Sequence, residues 1–380
     1  MRMRVGSAVQ PLRVGSALVA IVLLVACAPA GGSTTANGTT ATSTGATGTT
    51  PTAAPVATSA PATGSGAANA LPALPAPSSP IPVTVIWTAV TGANGPLWTA
   101  YEEGYFKQQG LDVTLTNIAS TSRAIAAILA NEAQFSNTDP STLVSANAEG
   151  GDLRLVAALT NRLVFSVMAQ PSISSPQELK GKSIGITRAG SSTYTAALQA
   201  LKIWNLQPDT DVTLVPLDQV PSILAGLQAN QVAAGVVSPP TSIQARDAGY
   251  TTLIDLAKDG PDFPSVGIST TESMIQKNPD TVRRFVRGYA LGLQRFMTDK
   301  QTAMTDMNKY LQLSDQGQLE ATWQDFSQYL ADPPEVPEAG MQAVIADASG
   351  AEPKAAGTAP SDYLDMSFVK ELEPTGIFSK

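Results

Sequence analysis

The residues best placed for chemistry in this 380-residue chain are hydroxyls and glycines at strand–helix junctions, not the usual catalytic groups. Gly190-Ser191-Ser192-Thr193 follows an apolar run and opens a helical pattern. Its backbone N–H groups therefore fall among the donors that a helix start leaves without an intrahelical partner. Together with three hydroxyls they form an arrangement able to clamp an anion. Ser120-Thr121-Ser122 stands in the same relation to an earlier helix, and capping would explain either triplet as well as binding does. Thr91, Gly92, Asn94 and Trp98 follow the first strand as hydrogen-bonding or stacking groups, although Trp98 also suits a core position at a helix start. Thr138 and Asp139 follow a further strand.

Two features of composition restrict the chemistry further. The chain has no histidine and a single cysteine, Cys27. Ser-His-Asp and Cys-His nucleophilic systems are excluded, as are zinc sites that need imidazole or several thiolates. Paired carboxylates would still permit glycoside hydrolysis. Acidic residues such as Glu371 and Glu373, however, sit in surface-like stretches. No Gly-x-x-x-x-Gly-Lys phosphate loop and no Gly-x-Gly-x-x-Gly fingerprint is present. The expectation is a protein that is not an enzyme, with no metal and no cofactor.

The elements that position these loops occur twice. Residues 112–142 align without a gap onto residues 211–241, at an offset of 99, with nine identities among 31 positions. These include Asp112-Val113-Thr114-Leu115 against Asp211-Val212-Thr213-Leu214, Asn131 against Asn230, and Pro140 against Pro239. Such an offset is too long for a solenoid and points to two lobes built on one βαβ plan. In the first copy residues 113–118 alternate as a strand, residues 124–130 carry helical spacing that Asn131 ends, and a short strand returns at Phe135. In the second, residues 212–217 form the strand, Asp218 can cap, residues 223–229 form the helix, and residues 233–237 return. Ser238 is the repeat partner of Asp139 and so faces the same cleft.

Around the copies, residues 81–87, 153–159 and 163–169 read as strands of the first lobe. Residues 182–187 open the second lobe and lead into a helix over 193–204. From Asn278 onward only amphipathic helices remain, over 280–298, 316–330 and near Phe368. Near-continuous apolar strands alternating with helices indicate doubly wound α/β lobes. Ligands bind such sheets outside the carboxyl ends of the strands. The expected divisions are 81–168 and 267–380 in one lobe and 169–266 in the other, with crossings near 168–169 and 265–267.

The N-terminal part is read separately. Arg2, Arg4 and Arg13 precede an uncharged stretch that ends Leu23-Leu24-Val25-Ala26-Cys27, the layout of an export signal over residues 1–26. The segment Leu24-Val25-Ala26-Cys27 resembles the lipobox of bacterial lipoproteins, which implies lipidation of Cys27. An ordinary signal peptide with a chance cysteine is the competing reading. No charged residue lies between Arg13 and Glu102, and residues 27–80 are largely Ala, Gly, Ser, Thr and Pro. That composition predicts a disordered tether spanning about 40 Å, and it fits a glycosylated stalk equally well. Without its first 26 residues the chain would have 20 basic and 31 acidic side chains, a net charge near −11. With no basic run in the body, nucleic acid is an unsuitable partner.

A family resemblance runs through the body. Tyr105-Phe106-Lys107-Gln108-Gln109-Gly110-Leu111-Asp112-Val113 is similar to the opening of the nitrate/sulfonate/taurine family of ABC-transporter substrate-binding proteins. So are residues 179–186, Gly190-Ser191, the Asp211-Val212-Thr213-Leu214 strand and the closing residues 368–376. The resemblance implies a type II-like periplasmic-binding-protein fold with a cleft between lobes. It also implies a monomer tethered at the outer face of the cell membrane, which captures a small organic anion or zwitterion for an ABC permease. The family includes binders of thiamine-precursor-like heteroaromatics, so that ligand class stays open, as does a sensor role at a membrane receptor.

Overall fold

The computed structural model describes residues 71–350 and 352–378. Cys27, the export signal and most of the tether lie outside the described residues. Strand β1 (Ile81–Trp87) leads through a short turn into helices α1 (Gly95–Glu102) and α2 (Tyr105–Gln108), then β2 (Leu111–Asn117). Next come α3 (Thr121–Leu129), β3 (Phe135–Thr138), α4 (Pro140–Ala148) and β4 (Leu153–Thr160). The chain then enters a second sheet through β5 (Ser166–Ala169), β6 (Lys182–Ile186), α5 (Ser192–Ile203), β7 (Val212–Pro216) and α6 (Val220–Gln228). That sheet is completed by β8 (Ala234–Val237), α7 (Thr241–Asp247) and β9 (Thr251–Asp255), and α8 (Leu256–Asp259) leads out of it. Strand β10 (Val266–Thr271) rejoins the first sheet. Helices α9 (Glu272–Lys277), α10 (Pro279–Thr298), α11 (Lys300–Leu311), α12 (Gln316–Ser327), α13 (Glu338–Ala348) and α14 (Ser367–Lys370) follow.

The two sheets share one plan, β2-β1-β3-β10-β4 and β7-β6-β8-β5-β9, and each gives one lobe. In each, the first three strands run parallel and the fourth is antiparallel to both of its neighbours. The internal repeat is real in three dimensions. At an offset of 99, α3 falls on α6 and β3 on β8, residue for residue. Asn131 and Asn230 both adopt left-handed backbone, with φ of 60° and 54°, which Asn tolerates at a helix end.

Three local readings change. Residues 163–169, read as a strand of the first lobe, contribute Ser166–Ala169 to the second sheet, so the first crossing lies at 161–165. Period-two alternation predicts a strand but carries no information on its partner. Asp218 does not cap α6: its φ is 74° and its carboxylate pairs with Arg188 instead. Finally, residues 71–80 are docked rather than free. The Arg284 guanidinium donates to Pro75 O at 2.7 Å and to Gln109 O at 3.0 Å, and Arg287 donates to Pro72 O and to Gln109 Oε1. Both arginines are buried, and a buried guanidinium needs acceptors that the Pro-rich carbonyls supply.

The first lobe is held by an aromatic stack. Phe285 of α10 lies 5.0 Å from Phe106 and 4.0 Å from Phe135 between ring centroids, nearly parallel to each. Gly95 allows α1 to touch α10, since a Cβ there would lie 2.1 Å from the Phe296 ring.

Candidate functional site

The loops at the carboxyl ends of the strands converge on a cavity between the lobes. The first lobe contributes Thr88 to Thr91 after β1, Ser120 and Thr121 at the start of α3, and Asn137 on β3. The second lobe contributes Thr187, Arg188 and Ser191 to Thr193 before and within α5, Asp218 to Pro221 at the start of α6, and Ser238 after β8. Thr160, Val164, Phe165 and Ser265 close it near the crossings, and Phe326 of α12 forms one wall. The cavity measures about 70 Å³, well under the roughly 300 Å³ at the small end of solute pockets. The lobes therefore stand close together around it.

Polar contacts hold the lobes in that arrangement. Ser238 Oγ donates to Thr91 Oγ1 at 3.2 Å, and Thr91 Oγ1 donates to Pro239 O at 3.2 Å. Thr142 Oγ1 donates to Gly190 O at 2.6 Å. On one flank Lys202 of α5 pairs with Asp347 of α13 at 2.8 Å; on the other Gln318 of α12 donates to Asp247 of α7 at 3.1 Å. Each of these hydrogen bonds is worth about 1 kcal/mol net.

Of the residues singled out from sequence, Thr91, Ser120, Thr121, Ser191, Ser192, Thr193 and Ser238 line the cavity. Ser120 stands at the N-cap of α3 without a side-chain cap bond, so its hydroxyl is not used by the helix. Ser191 does cap α5, accepting from Tyr194 N at 3.3 Å. Ser122 and Gly190 face a larger outer groove of about 1020 Å³ between α3, α4 and α5. Gly92 and Asn94 lie buried behind the cavity wall. Trp98 is a core residue, fully buried and stacked on Tyr310 at 4.6 Å. Thr138 is buried against Ser269 at 2.5 Å, and Asp139 caps α4 by accepting from Thr142 N at 3.1 Å. Burial pushes the Asp139 carboxyl up to about 6, against hydrogen bonds from the Thr142 and Ser141 N–H groups and the Ser192 hydroxyl.

Sequence reasoning passes over Asn137, Ser265, Phe165 and Phe326. Asn137 lies inside a strand, where a polar residue at an apolar position is a usable signal; the other three depend on long-range packing. Among the described residues lining the cavity, the charged ones are Arg188 and Asp218, which form a salt bridge and cancel. No cluster of His, Cys, Asp or Glu among the described residues is placed to hold a metal. No described helix is long and apolar enough to cross a membrane.

Comparison with known proteins agrees with this architecture. The riboflavin-binding protein RibY of Chloroflexus aurantiacus is 25% identical over 203 residues, covering 52% of this chain and 57% of that protein. The chain thus spans little more than half the length of that curated relative. The alkanesulfonate-binding protein SsuA of Xanthomonas axonopodis pv. citri, solved with MOPS, superposes with a TM-score of 0.63 at 16% identity, over 76% of this chain and 99% of that one. The periplasmic nitrate-binding protein NrtA of Synechocystis PCC 6803 gives a TM-score of 0.63 at 12% identity, over 79% of this chain and 90% of that one. At such identities these structures establish the periplasmic-binding-protein fold alone. The family described as NMT1/THI5 like matches residues 93–303, more than half of the chain, and to that family this protein belongs.

Proposed function

We propose that this protein captures a small solute between its lobes and presents it to the permease of an ABC importer at the outer face of the cell membrane. The observation that carries the reading is the cavity itself: strand-end loops of both lobes contribute polar groups to one shared space. Hydrogen bonds such as Ser238–Thr91 cross it. A site divided between two hinged bodies couples occupancy to closure, because a solute that touches both lobes favours the closed state. The relatives that bind riboflavin, alkanesulfonate and nitrate support the reading by fold and family. Small-angle scattering tests it. With riboflavin, uracil, taurine and nitrate offered in turn at millimolar concentration, at least one should reduce the radius of gyration. A profile unchanged by all four would count against solute-driven closure.

The same reading places the protein on a lipid anchor at Cys27, within reach of the permease. Its support is the basic, apolar and small-residue pattern ending at that cysteine, followed by a tract poor in large apolar residues. More than one acyl chain would be needed for stable attachment. Cys27→Ser should move the protein from the membrane to the soluble fraction without altering solute affinity. Membrane retention of the variant would show that the attachment lies elsewhere.

A further inference from the structure

The hydrogen-bonding lining of the cavity has a polarity that its protein contacts determine. Ala89 O is a carbonyl and can only accept, so the atom of Asn94 that meets it at 2.7 Å is the amide nitrogen. The Asn94 oxygen then faces Asn137, and the Asn137 atom 2.6 Å from it must be Nδ2. The relay leaves one orientation for Asn137, with its oxygen as the remaining group. Asn137 is 2% exposed, it lines the cavity, and its Oδ1 receives no hydrogen bond from any described residue. Ser265, 1% exposed and also lining the cavity, has an unpartnered Oγ. Three hydroxyl protons nearby are committed elsewhere, whereas those of Ser120 and Ser265 stay available to a solute. Thr91 donates to Pro239 O, Ser238 to Thr91, and Ser191 to Arg188 O at 2.7 Å.

From this we infer that the cavity selects an uncharged solute bearing an N–H or O–H donor, and that Asn137 Oδ1 is the acceptor that reads it. The inference rests on the cavity being the solute site. A buried amide oxygen left without a donor is destabilising, so a solute that supplies one gains affinity that an acceptor-only anion such as nitrate does not. Helix starts at Thr121 and Ser192 offer N–H groups to an acceptor on the same solute. The Arg188–Asp218 pair adds no net charge. Val90, Val164, Phe165 and Phe326 leave apolar wall for a ring. Asn94 acts as a positioning residue, holding the Asn137 amide in register.

The test uses the full chain and four probes, with dissociation constants from calorimetry. Riboflavin and uracil are uncharged and carry an N–H between two carbonyls; nitrate is an anion without a donor, and taurine is a zwitterion whose ammonium can donate but which brings two ionised groups to a cavity lining of no net charge. At least one uncharged probe should bind tenfold or more tightly than either taurine or nitrate. Asn137→Leu should reduce that preference at least tenfold. Asn94→Leu, which keeps Asn137 but frees its amide to rotate, should reduce it by a smaller factor. Because the readout is a ratio between solute classes, a variant that is merely destabilised shifts both affinities together and leaves the ratio alone. Tighter binding of taurine or nitrate, or an unchanged preference in Asn137→Leu, overturns the inference while solute capture stands. Binding of none of the four overturns it as well, and the absence of compaction with all four then removes the solute-capture reading with it.

Discussion

Asp139→Asn is expected to stabilise the protein by about 3 kcal/mol at pH 7 and to change it little near pH 4. Asp139 is 1% exposed at the N-cap of α4. Burial outweighs its hydrogen bonds and raises its carboxyl to about 6 from an ordinary value of 3.8. The folded state thus holds the proton more tightly than the unfolded chain does. The resulting stabilisation is complete below about pH 4 and is lost as pH rises through about 6, where the buried carboxyl must ionise. Asparagine cannot ionise, yet its Oδ1 can still accept from Thr142 N, so the cap survives. Denaturant unfolding of both proteins at pH 4 and pH 7 measures the difference directly. A gap of equal size at the two pH values would show that packing, not ionisation, separates them.

An effect of opposite sign is expected for Phe285→Ala, a loss of about 3–5 kcal/mol. The ring is fully buried on α10 and stacked between Phe106 of α2 and Phe135 of β3. Truncation removes its burial from water and both stacking contacts. The surrounding backbone is pinned by the helix and the sheet, so the space closes only in part. The urea midpoint should fall with little change in slope, and Phe285→Leu should recover much of the difference because an apolar side chain refills most of the space. Phe285 contributes nothing to the lining of the cavity, so solute affinity of the folded variant should stay close to the parent value. A stability loss of under about 1 kcal/mol would mean that the stack carries little of the first lobe's stability.

Local pattern determines much of this protein. The 99-residue offset implies two equivalent βαβ units because strand alternation, helical spacing and the Asn131 and Asn230 stops are written in short stretches of chain. The same pattern locates Ser120, Thr121, Ser191, Ser192, Thr193 and Ser238 at strand ends, where sheet geometry brings loops together. The missing histidine restricts the chemistry whatever the fold. Other outcomes depend on partners distant in sequence. Ser166–Ala169 is a strand by its own residues, but only pairing with β8 and β9 assigns it to the second sheet. Trp98 could stack on a solute or fill a core, and Tyr310, more than 200 residues away, decides for the core. Residues 71–80 carry too little apolar surface to order themselves, yet the buried guanidiniums of Arg284 and Arg287 require acceptors and find them there. Asn137 is the sharpest case. Its place in a strand is legible in sequence, but which end of its amide meets the cavity follows only from the contact with Asn94, 43 residues earlier, and from that residue's bond to a carbonyl.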